Sequence, residues 1–207
     1  HKLNVKNYIF RDPVFSIDKK HTKLLCEEII KSKIKFNIAI ETHLKNIDNE
    51  LANIFLRCGI ILVYVGIESA DEEVKQSANR WSDEDDVQIE KINYLEKIGI
   101  KVKTMYIIGF PEENKEKFLK TVDYAIKVNS SYAQFSVFTP YPGTPVYKEY
   151  EKKITATKFE DFNQWKLVFK HKNFDESTVR YLLDLAYKRY YLRLSWIKNF
   201  LKNKLFT

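Results

Sequence analysis

Two cysteines in 207 residues are too few for the disulfide framework that staples small secreted domains. Cys26 and Cys58 stand 32 positions apart in helical surroundings and form no CxxC pair. Both are expected to be small buried apolar residues in a reducing compartment. Long apolar runs are also absent: none approaches the ~20 residues that a membrane-spanning helix needs. The first residues, "HKLNVKNYIF", lack the apolar block of a signal peptide, so a cytoplasmic location is expected. They lack an initiating Met too, which implies a start partway through a longer protein. Histidine is scarce (His1, His21, His43, His171), and only His43 falls at a strand end, which argues against a dedicated zinc site. No G-x-x-x-x-G-K-[ST], G-x-G-x-x-G or G-x-S-x-G occurs, so phosphate-cradling nucleotide folds and serine-nucleophile elbows lose support.

What is present is charge, unevenly placed. The net charge is +7. Residues 145–207 hold 14 Lys/Arg against 7 Asp/Glu, leaving 21 of each before them. The first two-thirds is electrostatically balanced, and the excess sits in the tail.

Strand-length apolar runs alternate with segments of helical period. "KNYIFRDPVF" reads as a strand and "DKKHTKLLCEEIIKS" as a helix. "KFNIAIETH" reads as a strand, followed by "DNELANIFLRCG", a helix capped by Asp48 and closed by Gly59. "IILVYVGIES" is a nearly continuous apolar strand, which argues for burial on both faces. The helix "DDVQIEKINYLEKIG", the strand "KVKTMYIIGFP", the helix "NKEKFLKTVDYAIKVN" and the strand "YAQFSVFTPYPG" follow. Five strands with helical crossovers imply an α/β fold with a parallel sheet, as an open doubly wound sheet or part of a barrel. After Tyr150 the pattern changes, giving a boundary between residues 1–150 and a C-terminal extension, 151–207. In the extension Asp175 or Ser177 opens a long helix with the stripe Val179, Leu182, Leu183, Ala186, Tyr190, Leu194, Ile197 and Leu201.

In either parallel architecture the carboxyl ends of the strands gather where loops build a site. These ends are polar or special: Asp12, Glu41 and His43, Glu68 and Ser69, Gly109, and Thr139 to Gly143. Alternation puts Tyr64, Gly66 and Glu68 on one side of their strand, and Asn37, Ala39 and Glu41 on one side of theirs. Inward-facing carboxylates could bind a divalent metal, act as acid and base, or accept hydrogen bonds from ribose hydroxyls and an amino group.

The ordered series of strand ends resembles a known family. "VGIESADEEV" and "INYLEKIGIKVKTMYIIGFPEENKEKFLKTVDYAIKVNSSYAQFSVFTPYPGTPVYKEY" closely resemble the radical S-adenosylmethionine (radical SAM) superfamily, nearest to the branch often carrying an N-terminal cobalamin-binding domain. "NYIFRDPVFSIDKKHTKLLCEEIIKSKIKFNIAIETH" resembles that branch's second and third strands, and "YKRYYLRLSW" its C-terminal helix. The resemblance implies a partial (β/α) barrel. At its mouth an iron–sulfur cluster reduces S-adenosylmethionine to a 5′-deoxyadenosyl radical, which takes a hydrogen from an organic or lipid substrate. It implies cofactor-binding roles for Asp12 and Glu41 at the methionine amino group and for Glu68 and Ser69 at the ribose. Ile108, Gly109 and Phe110 lie along the adenine, with Tyr141 and Gly143 in the last loop. His43 stands where the branch commonly has Arg, at the cofactor's carboxylate.

The superfamily's CxxxCxxC loop is absent, so the ligands of a 4Fe–4S cluster are expected outside this chain. Cobalamin is the further cofactor the branch implies, with methyl transfer as the favoured reaction. The other class of function is an inactive barrel that binds nucleic acid or an anionic membrane surface. Its instrument is residues 187–204, where Lys188, Arg189, Arg193, Lys198, Lys202 and Lys204 alternate with Tyr190, Tyr191, Trp196 and Phe200. Leu194 stands where a proline would be usual, which predicts a helix that continues unbroken.

Overall fold

A computed structural model describes residues 5–77 and 85–205, with side chains described as far as Leu201. Lys202 and Lys204 of the basic tail therefore lie outside the described side chains. The element order is β1 (Asn7–Ile9), α1 (Lys19–Lys31), β2 (Asn37–Glu41), α2 (Asn49–Cys58), β3 (Ile60–Glu68), α3 (Glu72–Ser77), α4 (Asp85–Ile98), β4 (Lys101–Ile108), α5 (Lys115–Val128), β5 (Tyr132–Val137), α6 (Pro145–Tyr150), α7 (Glu176–Tyr191) and α8 (Leu194–Leu205). The strands form one parallel sheet in the order β1-β2-β3-β4-β5, each beside its successor in sequence.

Side-chain caps fix the helix starts. Carboxylate or amide oxygens of Asp18, Asp48, Asn114 and Asp175 accept from the backbone N–H three residues on, at 2.7–3.0 Å. Helix α2 ends on Gly59 at φ 92°, where a Cβ would stand 2.4 Å from the Phe36 carbonyl oxygen, so only glycine fits.

The chain packs as two compact units. The first comprises residues 5–67, 85–105 and 130–133. Its core is Ile40, Leu51, Phe55, Val63, Val65, Ile92 and Val102, all sealed from solvent. Cys26 and Cys58 are buried in it, on α1 and α2, with hydrogen-bonded thiols. The second comprises residues 68–77, 106–129 and 134–205. Its core centres on Phe135, which stacks on Tyr106 at 5.2 Å and meets Phe118 and Tyr187 edge-on.

Three expectations need correction. Strand β1 is three residues, because the chain turns at Asp12-Pro13 rather than extending through "RDPVF". Strand β3 is not sealed on both faces: Val63 and Val65 are buried, whereas Leu62, Tyr64 and Gly66 between them are half-exposed. The long C-terminal helix is two helices. Its break at Leu192-Arg193 needs no proline, because Arg193 Nε donates to the Tyr190 carbonyl at 2.8 Å and Nη1 to the Ile126 carbonyl at 2.9 Å. The guanidinium thus takes a carbonyl that the next helical turn would have used. Beyond the break the apolar stripe ceases to be buried: Leu194 is 74% exposed and Leu201 52%.

Candidate functional site

In the first unit the sequence-selected residues are Asp12, Glu41 and His43. The turn after β1 is tied to the end of β2, since Phe15 N–H donates to the Glu41 carbonyl at 2.8 Å. The Ser16 and Thr42 hydroxyls share a buried hydrogen bond beside it. Strand register sets Glu41 opposite Tyr64. The carboxylates of Asp12 and Glu41 are exposed and engage no ion pair or hydrogen bond among the described residues. His43 is exposed and opens the short helical turn Leu44–Asn46.

The second unit holds the remaining seven. Glu68, the last residue of β3, has a left-handed backbone with φ 69°, a conformation that a non-glycine residue rarely adopts. Unusual backbone of this kind concentrates at functional turns. Ser69 is buried and its hydroxyl is spent on the loop: it pairs with Thr121 Oγ1 at 3.2 Å and accepts from Asp71 N–H at 3.1 Å. Tyr141 is partly exposed, and its carbonyl accepts from the Thr144 hydroxyl and N–H. Gly143 has φ 88° beside open space, so its conformation, not crowding, calls for glycine.

The turn after β4 is the most tightly built part of the unit. Gly109 adopts φ 88°. The side chains of Ile108 and Phe110 are buried, so the turn presents main chain. Glu113, wholly buried, accepts from the Gly109 N–H at 2.6 Å and from the Phe110 N–H. The Phe110 carbonyl receives the Glu113 N–H and His171 Nε2, both at 2.8 Å. The imidazole tautomer follows from its neighbours. Nδ1 accepts from the Asn173 and Phe174 N–H groups, so Nε2 carries the proton. The Ile108 carbonyl accepts from Phe138 N–H at 2.8 Å. Of the three carbonyls, only that of Gly109 has no partner among the described residues. Burial pushes the Glu113 carboxyl up to about 8 despite its two amide donors, and burial lowers the His171 imidazole.

Sequence reasoning passed over Glu113 and His171. Glu113 follows an identical residue, Glu112, in a charged stretch, and only the fold-back of the turn after β4 onto the Phe110 carbonyl distinguishes them. His171 lies 61 positions from the carbonyl it holds, beyond the reach of any local pattern.

For an iron–sulfur cluster the fit fails: the chain has two cysteines, both free thiols, buried and hydrogen-bonded to each other, and no group of three or more metal-ligating side chains occurs among the described residues. For an adenosyl group the second unit does fit, with a half-buried carboxylate on a left-handed backbone and a turn with one unused carbonyl.

The Radical SAM superfamily model matches residues 14–125, more than half of the chain. The chain is 26% identical over 93% of its length to an uncharacterized methyltransferase of Pyrococcus horikoshii, covering 42% of that protein. It is 24% identical over 80% of its length to bacteriochlorophyllide d C-12(1)-methyltransferase of Chlorobaculum tepidum, covering 36% of it. Among solved structures, the radical S-adenosylmethionine methyltransferase TsrM of Kitasatospora setae, with cobalamin and a [4Fe-4S] cluster bound, superposes with a TM-score of 0.67. That likeness is at 17% identity over 87% of this chain and 38% of TsrM. The fold is therefore the partial (β/α) barrel of radical SAM proteins. The chain belongs to the radical SAM superfamily, whose members bind S-adenosylmethionine and a 4Fe–4S cluster. It spans about two-fifths of the length of the curated relatives it matches.

Proposed function

We propose that this chain is the S-adenosylmethionine-binding part of a radical SAM enzyme whose cluster ligands lie outside these 207 residues. The observation that carries the reading is the turn after β4, held by Glu113 and His171, in a chain that belongs to this superfamily. A turn whose amide donors are already taken and whose Gly109 carbonyl is unused suits the exocyclic amine of an adenine, which donates. Glu68, at the end of β3, the strand next to β4 in the sheet, accepts hydrogen bonds from a ribose diol. Ser69 positions Glu68 by fixing the loop. On the resemblance of the strand ends, Asp12 and Glu41 are assigned to the methionine ammonium, His43 to its carboxylate, and Tyr141 and Gly143 to the last loop. The cluster's chemistry lies outside this chain, whose own residues bind and orient the cofactor.

The reaction class we favour is methyl transfer to a small organic molecule or a lipid, with cobalamin from a preceding domain. Two relatives, the Pyrococcus horikoshii protein and the bacteriochlorophyllide d C-12(1)-methyltransferase, carry the name methyltransferase, which supports it. A nucleic-acid or membrane module is the weaker reading. Arg189 is paired with Asp123 at 2.6 Å and Arg193 is spent on the helix break, so two cations of the tail serve the fold.

The test is calorimetric binding of S-adenosylmethionine to the complete protein under anaerobic conditions, with 5′-deoxyadenosine formation as the second readout. Glu68→Gln and Gly109→Ala should each weaken binding by about ten-fold, roughly the loss of one charge-assisted hydrogen bond or one distorted turn. Unchanged affinity in both variants, or no binding by the wild type, would overturn the assignment.

A further inference from the structure

In the first unit one face of the sheet is only half-covered. On β3 and β4 the residues Val63, Val65, Val102 and Thr104 are sealed, while Leu62, Tyr64, Lys101, Lys103 and Met105 of the other face are half-exposed. Three chemically distinct side chains stand side by side on that face. Glu41 of β2 is the register partner of Tyr64 of β3, and the Lys103 ammonium of β4 lies 5.3 Å from the centroid of the Tyr64 ring. Register partners in a parallel pair share a face.

Lys103 differs from the other buried or interhelical lysines of the fold. Lys19, Lys75 and Lys117 each have a carboxylate partner, whereas Lys103 has neither an acid within 4.0 Å nor a hydrogen bond among the described residues. Burial alone holds its pKa below the ordinary lysine value, and no neighbouring charge opposes the shift. A half-desolvated ammonium whose single contact is an aromatic ring is electrostatically incomplete, and an anion is what completes it. The flanking Leu62 and Met105 are apolar and half-exposed, so an anion with an apolar body suits the place better than a hydrated one such as phosphate.

We propose that Lys103 and Tyr64 form a subsite for the carboxylate of an organic ligand with an apolar body. The ammonium pairs the carboxylate while Tyr64, Leu62 and Met105 line its apolar part. None of these four residues belongs to the proposed cofactor set. The carboxylate can be a substrate's or that of the cofactor's methionine, and the two sources differ in measurable ways.

The experiment is calorimetric titration of the complete protein, at low salt, with benzoate and with its neutral counterpart benzamide. Benzoate should bind at least about ten-fold more tightly than benzamide, a difference of roughly 1.4 kcal/mol. Lys103→Met should remove that preference and Lys103→Arg should keep it. Equal affinity for the two probes, or a full preference in the Met variant, overturns the subsite. Should the Met variant fail to fold, the unmutated protein still decides: in protein labelled with ¹³C at the lysine ε-carbon, saturation with benzoate should raise the Lys103 pKa, and an unmoved titration counts against the proposal. Competition identifies the source. If S-adenosylmethionine displaces benzoate, the carboxylate is the cofactor's; if both bind together, it is a substrate's. Absence of S-adenosylmethionine binding would end the cofactor reading while leaving the benzoate result to stand or fall alone.

Discussion

Glu113 is a carboxyl kept away from water in order to hold two backbone amides, and its titration should be visible in stability. Its folded pKa, about 8, lies above the ordinary glutamate value of 4.5. A group raised in this way contributes most below the unfolded value and loses that contribution as pH rises through the folded one. Stability should therefore decline between about pH 4.5 and 8 from this residue. Asp71 nearby adds to the rise and Lys117 opposes it. In Glu113→Gln the amide oxygen still accepts from Gly109 and Phe110, so that part of the decline should vanish. Denaturant unfolding at a series of pH values checks this, and an identical slope in both proteins would contradict it. The identity of this residue was not legible in sequence, because a buried carboxyl and an exposed one can occupy adjacent positions of one charged run. Glu68 was legible, because it ends an apolar strand, though its left-handed backbone was not.

Among elements, β5 and α7 show how an exposed strand edge is managed. The Tyr187 hydroxyl donates to the Phe135 carbonyl at 2.9 Å and accepts from the Phe135 N–H at 3.1 Å, so one phenol satisfies both backbone groups of a strand residue. The Gln164 carbonyl takes the next free amide, Val137 N–H, at 2.7 Å. Unpaired strand edges invite pairing with other chains, and the Tyr187 phenol and the Gln164 main chain in those bonds block it. Tyr187→Phe leaves two partly buried groups unsatisfied and should cost about 2 kcal/mol in denaturant unfolding. A change under roughly 0.5 kcal/mol would mean that water replaces the phenol. The break between α7 and α8 gives an opposite expectation. Leu194 is the first residue of α8 and faces solvent, a position whose amide has no intrahelical partner. Leu194→Pro should therefore be neutral or stabilising by up to about 1 kcal/mol, although the sequence suggests a helix interior. Caps made most helix limits readable: Asp48, Gly59, Asn114 and Asp175 act within a few residues of themselves. The break at Leu192 was unreadable because it depends on Ile126, 67 positions from Arg193.

At the scale of the molecule, alternation of strand and helix was enough to obtain five parallel strands, and the ordered strand ends were enough to place the chain in its superfamily. The half-open face of β3 escaped notice for a physical reason. Leu62, Tyr64 and Gly66 are apolar enough to read as core, and hydrophobicity cannot tell a face packed by helices from one that awaits a ligand. The absence of a cluster-ligating set predicts a simple contrast. Anaerobic reconstitution with iron and sulfide should leave the 207-residue chain colourless, since its two thiols are buried together. A brown, cluster-bearing product would contradict the assignment of those ligands to residues outside the chain.

The order of the strands also bears on birth at the ribosome. Because β1 to β5 lie in the sheet in the order in which they are synthesised, each strand after β1 emerges to find one neighbour already made. From β2 onward no strand waits, sticky and unpaired on both sides, for a partner translated later, and the sheet can grow by accretion in the direction of translation.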